Sequence, residues 1–255
     1  FLEKISAEHN NISLLPNALS HGSAAKNFFI LINRVEAKAY DYFAFADQDD
    51  IWFPDKLSQH IQLAKLHNAD GVSSNVLAFW PDGRECLLDK SQPQLEFDFL
   101  FESAGPGCTY LMTPKLIGKL QAQLQDKGNP AYEVAFHDWL AYAVCRAYKY
   151  NWVIASAPSL KYRQHQSNSY GANIGLNAKW ARLQQLKTSW YRDEIIKISK
   201  VCYKISADPS IKRLINKLED KGLSARLSLL SYITKSRRKL LDRAVLAGAI
   251  VAGLF

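Results

Sequence analysis

The sequence predicts an α/β protein: a mostly parallel sheet flanked by helices, followed by a C-terminal helical extension. Three observations carry this. Short apolar, β-prone runs alternate with segments of helical period as far as about residue 175, and such alternation produces sheets covered by helices. From about Leu176 onwards only helical patterns remain, broken near Pro209 and Gly222. The 255 residues, 48% hydrophobic and 22% charged, are enough for one full core with an appendage. The expected division is 1–175 for the α/β domain and 176–255 for a basic helical extension ending in an apolar stretch.

The elements follow in order. Residues 12–15 read as a short strand and residues 23–38 as a helix opened near Gly22. Residues 42–46 (Tyr-Phe-Ala-Phe-Ala) are a buried strand. Pro54 suits the first turn of the next helix, where its missing N–H costs nothing, and Leu57, Ile61 and Ala64 then recur at helical spacing. Residues 72–80 are apolar and β-prone, Pro81-Asp82-Gly83 signals a turn, and residues 84–88 return as a second strand. Gly105-Pro106-Gly107 breaks the chain before a strand at 108–112, and Pro114 opens a helix. Residues 137–148 are helical, with Leu140, Val144 and Ala147 on one face; strands at 152–155 and 160–164 complete the α/β part.

Charge is unevenly placed within the net +8. Residues 1–175 hold 15 Lys/Arg against 18 Asp/Glu, whereas residues 176–255 hold 17 against 6. A basic extension of this kind meets nucleic acid or the anionic inner face of a membrane. Four scattered cysteines with no CxxC argue against a zinc site and a disulfide framework, and fit a reducing cytosol.

Asp47-Gln48-Asp49-Asp50 is the most informative feature. It ends the strand at 42–46 and precedes Ile51-Trp52-Phe53-Pro54. Two unit charges about 4 Å apart at an effective dielectric near 20 repel by roughly 4 kcal/mol. Solvent, a proton or a bound cation must relieve that. The C-terminal end of a strand favours the cation, because ligands of open α/β sheets gather there. An EF-hand is excluded: Trp52 stands where its loop needs Gly and Ser58 where it needs Glu. A phosphohydrolase of the haloacid dehalogenase type is a closer rival, although it wants Thr or Val where Ile51 stands.

With these residues in view, the segment FADQDDIWFPDKL (45–57) resembles the DxD region of family 2 glycosyltransferases, especially the bacterial rhamnosyltransferase-like branch. HDWLAYAV (137–144) and YRQHQSN (162–168) resemble the same branch in the same order, and GSAAKNFF (22–29) does so more loosely. The resemblance spans roughly residues 10–170. It implies a GT-A fold and an inverting, metal-dependent transferase. The donor is a nucleoside diphosphate sugar, with dTDP-rhamnose first, and the acceptor a cell-surface polysaccharide or its lipid-linked precursor.

The resemblance also distributes roles. Asp49 is the first metal ligand, with Asp50 supporting it or capping the following helix. Asp47 faces the ribose or the metal's water shell. Asp138 is the general base; as a carboxylate with an ordinary pKa it is expected to be ionised at neutral pH. His137 orients the site or merely packs. His165 is an additional metal ligand, Arg163 pairs with diphosphate oxygens as a fork, and Asn168 hydrogen-bonds sugar or phosphate. The cofactor is Mg²⁺ or Mn²⁺, imidazole ligation favouring Mn²⁺. Chains of this family usually carry a strand, a helix and a second strand ahead of the acidic strand. One strand and one helix precede it here, so the chain is expected to lack about two N-terminal elements.

In the extension, Lys235-Ser236-Arg237-Arg238-Lys239 leads into an apolar stretch at 244–255, shorter than the roughly 20 residues of a membrane span. The reading is peripheral contact at the cytoplasmic face of the plasma membrane; duplex nucleic acid is the competing partner and is not expected. The alternatives to a transferase are the DxD phosphohydrolase and an inactive truncated domain with a membrane- or nucleic-acid-binding tail.

Overall fold

A computed structural model describes residues 2–15, 23–164 and 189–255. Its elements are α1 (Leu2–Glu8), α2 (Ala24–Arg34), β1 (Phe43–Ala44), β2 (Ile51–Trp52), α3 (Lys56–Leu66), β3 (Gly71–Ser74), β4 (Val76–Phe79), β5 (Glu85–Leu88) and α4 (Asp98–Phe101). Then come β6 (Leu111–Met112), α5 (Pro114–Gln125), α6 (His137–Ala147), β7 (Trp152–Ala155), β8 (Leu160–Arg163), α7 (Trp190–Ser206) and α8 (Pro209–Glu219). The chain ends in α9 (Leu223–Ser228), α10 (Ile233–Ser236) and α11 (Leu240–Ala252). The helix-start signals behave as their chemistry requires: Ser23 and Thr113 cap α2 and α5 through their hydroxyls, and Pro114 opens α5. Pro54 lies one residue before the N-cap position, Asp55, rather than inside α3.

Two four-stranded sheets form, in the orders β1-β6-β3-β7 and β2-β8-β4-β5. The α/β class and its flanking helices hold, but the sheets are mixed rather than mostly parallel. Only β3–β7 and β4–β8 pair in parallel; the other four ladders are antiparallel. The reason is local. β6 is inserted in reverse between β1 and β3, and β5 returns on β4 through the tight turn closed by Trp80 and Arg84. Residues 72–80 are not one strand, because Asn75 divides them between the two sheets. Its Nδ2 donates to the Ser156 carbonyl at 2.8 Å, and its Oδ1 accepts from the N–H groups of Lys90 and Ser91. Residues 12–15 are irregular and exposed instead of extended, and residues 107–109 form a 3₁₀ turn before β6.

Three segments carry the chain from the first sheet to the second: residues 45–50, Asn75, and residues 156–159. The acidic turn is thus a sheet-to-sheet crossing. The other two crossings are stitched together, Ser74 Oγ to Ser159 Oγ at 2.7 Å and Asn75 N–H to the Ala155 carbonyl at 3.1 Å. Gly71 stands opposite Trp152 in the β3–β7 ladder, and any Cβ there would fall inside the indole. The ring lies flat on the glycine, and its Nε1 donates to Ser73 Oγ at 3.0 Å.

α6 is buried from Trp139 to Cys145 all round, not on one face. It packs against α2, α4, α5 and α7. One hydrophobic cluster takes in Phe29, Leu116, Leu140 and Val144 together with Ile195, Ile198, Leu214 and Ile250, so the extension and the α/β part share a core.

The basic run that sequence alone reads as a free tail is largely tied down. Lys235 pairs with Glu96 at 2.6 Å and Arg237 with Asp242 at 2.9 Å. The buried Arg238 pairs with Asp98 at 3.0 Å, whose other oxygen meets Arg146, also at 3.0 Å. Leaving one partner of such a buried pair alone costs about 3–5 kcal/mol. That penalty, with the shared core, fixes the extension against residues 96–103.

Candidate active site

The site forms where the acidic turn meets the 3₁₀ turn Gly107–Thr109 and the first turn of α6. Phe45 N–H donates to the Tyr110 carbonyl and holds the acidic turn in place. Carboxylate oxygens of Asp47 and Asp50 and the Sγ of the buried Cys108 lie within 4.8 Å of one another. Asp50 Oδ1 accepts from Arg163 N–H at 3.0 Å, and the Cys108 thiol lies close beside the same carboxylate. Asp50 Oδ2 is buried without a hydrogen-bond partner. This placement removes the helix-capping role for Asp50.

The charges strain one another as expected. Burial, then the charges of Asp50 and Asp49, push the Asp47 carboxyl up to about 6. Burial also raises Asp50, outweighing the neighbouring Cys108 thiol and the Arg163 N–H. Burial and the Asp50 carboxylate hold the Cys108 thiol well above its usual range, so it stays protonated.

Asp138 sits in the first turn of α6 with Oδ1 accepting from Trp139 N–H at 2.7 Å. Burial pushes it up to about 7, the Asp47 charge adds to this, and Lys90 opposes it. Where an ordinary carboxylate is expected, burial holds the Asp138 carboxyl well above the usual range. The 3₁₀ turn brings the two places together although they are far apart in sequence: Gly107 packs on Asp138 and Cys108 on the acidic turn.

His137 packs rather than orients. Its ring stacks on Phe28 at 3.9 Å and meets Phe45 edge-on. Burial lowers it to about 3, so it is neutral. Gly107 makes this close approach possible: a Cβ there would lie 2.5 Å from His137 Nε2 and 3.2 Å from Asp138 Cβ. Arg163 serves the acidic turn directly, donating through Nε to the Asp49 carbonyl at 2.8 Å, with its guanidinium over the Phe79 ring at 4.7 Å. The half-buried Asp49 is in the turn, but its carboxylate is not in the three-donor cluster. His165 and Asn168 lie outside the described residues.

Three residues of this neighbourhood are given no role by the motifs, Tyr162 although it begins one of them. Cys108 arrives from the 3₁₀ turn. Tyr162, one residue before Arg163, is held above its usual range by burial and by Cys108, Asp50, Asp47 and Asp138. Lys90 comes from the irregular segment after β5.

No family model matches the chain. It is 38% identical over 244 residues to dTDP-rhamnosyl transferase RfbG of Shigella flexneri, covering 96% of this chain and 82% of that protein. The crystal structure of S. aureus TarS 1–349 in complex with UDP-GlcNAc aligns over 99% of this chain and 69% of that one, with a TM-score of 0.52 and 11% identity, a likeness of fold. A carboxylate turn at the end of a strand and a second carboxylate on α6 thus stand in a glycosyltransferase fold, in a chain with a close rhamnosyltransferase relative. The phosphohydrolase alternative gives way: the chain belongs to the rhamnosyltransferase-like branch of the family 2 glycosyltransferases.

Proposed function

We propose that the chain is an inverting rhamnosyltransferase. It moves rhamnose from dTDP-rhamnose to a cell-surface polysaccharide or its lipid-linked precursor, at the cytoplasmic face of the plasma membrane. The observation that supports the mechanism is that the 3₁₀ turn Gly107–Thr109 meets both groups: a Cβ on Gly107 would lie 3.2 Å from Asp138 Cβ, and Cys108 Sγ lies within 4.8 Å of Asp47 and Asp50 oxygens. This supports a reading in which the carboxylate turn and a proton acceptor work side by side. The acceptor hydroxyl attacks the anomeric carbon opposite the leaving diphosphate. Its proton passes to Asp138, whose raised pKa suits a base working near neutrality.

The acidic turn fits a hard divalent cation. It offers crowded carboxylates and a buried oxygen, Asp50 Oδ2, with no partner. Mg²⁺ or Mn²⁺ would be held by Asp47, Asp49 and Asp50, with His165 the expected imidazole ligand. Cys108, protonated and soft, is a poor ligand for either ion. Such a cation supplies Lewis-acid neutralisation of diphosphate oxygens. Arg163 and Asn168 complete the donor side. The test is incubation with dTDP-rhamnose and a glycan acceptor, with the product linkage read by NMR. Release of dTDP with inversion at the anomeric carbon is expected; retention of configuration, or no transfer from any nucleotide sugar, overturns the reading.

Membrane contact is proposed through α11 and α9. Leu240 and Leu241 are 76% and 73% exposed, with Val245, Val251, Leu223 and Leu227 also open to solvent. Among the described residues no helix is long and apolar enough to cross a bilayer. Because Lys235, Arg237 and Arg238 are spent in ion pairs, few of the roughly 1 kcal/mol increments that each Lys or Arg adds at an anionic surface remain available. Binding to anionic vesicles should therefore be only mildly salt-sensitive and should be lost in Leu240→Ser with Leu241→Ser. Unchanged flotation of that double variant would remove this surface.

A further inference from the structure

α3 turns a polar face inwards. Leu57, Ile61 and Ala64 are its apolar stripe in the sequence, yet its buried residues are Lys56, His60 and Ala64, and Leu57 is 42% exposed. Lys56 and His60 are each only 1% exposed. Lys56 Nζ and both ring nitrogens of His60 are buried without a hydrogen-bond partner among the described residues. Burying an ammonium in this way is costly, and a helix that turned Leu57 inwards would avoid the cost. Departures of this kind from the apolar pattern are expected where function requires them.

The buried ammonium shares one packed group with the acidic turn. Lys56 Nζ stands 3.8 Å from the centroid of the Trp52 ring. Trp52 packs against the small cluster of Val76, Cys108 and Leu160. Within that cluster Cys108 Sγ lies within 4.8 Å of carboxylate oxygens of Asp47 and Asp50, and Asp50 Oδ2 is, like Lys56 Nζ, buried with no hydrogen-bond partner among the described residues. The backbone holds this arrangement. Trp52 pairs with Leu160 in the β2–β8 ladder, Phe53 N–H donates to the Ser159 carbonyl at 3.0 Å, and Lys56 N–H donates to the Phe53 carbonyl at 3.0 Å. Burial lowers Lys56 to about 8, so it is still positively charged at neutral pH. Burial and the Lys56 charge hold His60 down at about 4, which leaves it neutral.

A fixed positive charge behind the acidic turn acts oppositely on two ligands. It repels a bare divalent cation. It attracts the same cation once a nucleoside diphosphate is bound to it, because that complex is net negative. We propose that Lys56 tunes the acidic turn to take its cation together with the donor's diphosphate rather than alone. The inference rests on the transferase reading and on its divalent cation. Lys56 touches neither ligand in this role. It acts through its field, which solvent and salt screen weakly because the ammonium is buried.

The test compares the full chain with its Lys56→Met, Lys56→Gln and Lys56→Arg variants. Mn²⁺ alone is titrated by the EPR signal of the unbound ion, and the preformed Mn²⁺–dTDP complex is titrated calorimetrically. Transfer from dTDP-rhamnose is assayed in parallel. Replacing a buried charge by an apolar group of similar volume is often neutral or stabilising, so Lys56→Met should fold, as circular dichroism checks; if it does not, the contrast between Lys56→Gln and Lys56→Arg decides in the same way. A unit charge and a divalent ion about 10 Å apart repel by an energy on the order of a tenfold change in affinity. Lys56→Met and Lys56→Gln should therefore bind Mn²⁺ alone roughly tenfold more tightly and the Mn²⁺–dTDP complex about threefold more weakly. Lys56→Arg should stay close to the wild type in both. Mn²⁺ affinity that is unchanged or weaker in the neutral variants, as a purely structural lysine would give, overturns the proposal. So does a complex that tightens along with the bare ion, or Mn²⁺ binding absent from every variant while sugar transfer persists. Tighter Mn²⁺ and weaker complex binding in the neutral variants of a chain that transfers no sugar supports the role of Lys56 and removes the transferase reading.

Discussion

Asp138→Asn should keep donor binding and lower kcat by about 10²–10⁴-fold, the contribution of a positioned general base. The amide keeps the size of the carboxylate and cannot accept the acceptor's proton. The wild-type kcat/KM should rise with pH through about 7, where Asp138 titrates in the structure, and that limb should vanish in the variant. Stability should move the other way. The Asp138 pKa is raised by folding, so its stabilising contribution is present below its unfolded value near 4 and is lost as pH rises through about 7. At pH 8 the native carboxylate is therefore a burden, and Asn removes it. The full shift corresponds to roughly 4 kcal/mol as an upper bound, which solvent screening reduces. A variant that is more stable and inactive separates loss of chemistry from loss of fold. Near-normal turnover in Asp138→Asn would remove the base assignment.

The second large effect concerns the acidic turn. Asp49→Asn and Asp47→Asn should each abolish cation-dependent donor binding, by at least the 10–100-fold that even outer-shell partners of a metal contribute. EDTA should reproduce this in the wild type and change little in either variant. Asp47→Asn should in addition relieve the like-charge contact with Asp50, which helps to raise Asp47 itself. Calorimetric titration of dTDP with and without Mn²⁺ checks both. Donor affinity indifferent to EDTA and to Asp49→Asn would remove the metal role.

Much of the chemistry is legible along the chain because local sequence determines it. The apolar run before Asp47 does contain a strand, but a short and half-buried one: only Phe43–Ala44 pair, and within 42–46 only Phe45 is buried. His137-Asp138-Trp139 opens a helix that the structure reproduces to within a residue at either end. Pro81-Asp82-Gly83 makes its hairpin, with Gly83 at φ +85°. What is not legible depends on contacts between distant segments. Asn75 ends one strand and starts another by bonding to Ser156 and Lys90, which no local pattern encodes. The reversal of β6 is fixed by its two neighbours, not by the two residues it contains. Cys108 reads as an isolated thiol until the 3₁₀ turn carries it to Asp50. The basic run at 235–239 looks free because its partners, Glu96, Asp98 and Glu102, lie in another part of the chain. Asp138 is identifiable by type, but its protonation state is not, since burial and Asp47 set it.

The acidic turn and Asp138 meet at the 3₁₀ turn Gly107–Thr109, and the Asp47 charge should therefore reach Asp138. Carboxyl ¹³C NMR on aspartate-labelled protein tests it without relying on activity, the Asp138 signal being the one absent from Asp138→Asn. The Asp138 carboxyl should titrate near 7 in the wild type and move to lower pH in Asp47→Asn, where burial remains but the neighbouring charge is gone. An Asp138 signal titrating in the ordinary carboxylate range near 4, and unmoved by Asp47→Asn, would contradict it.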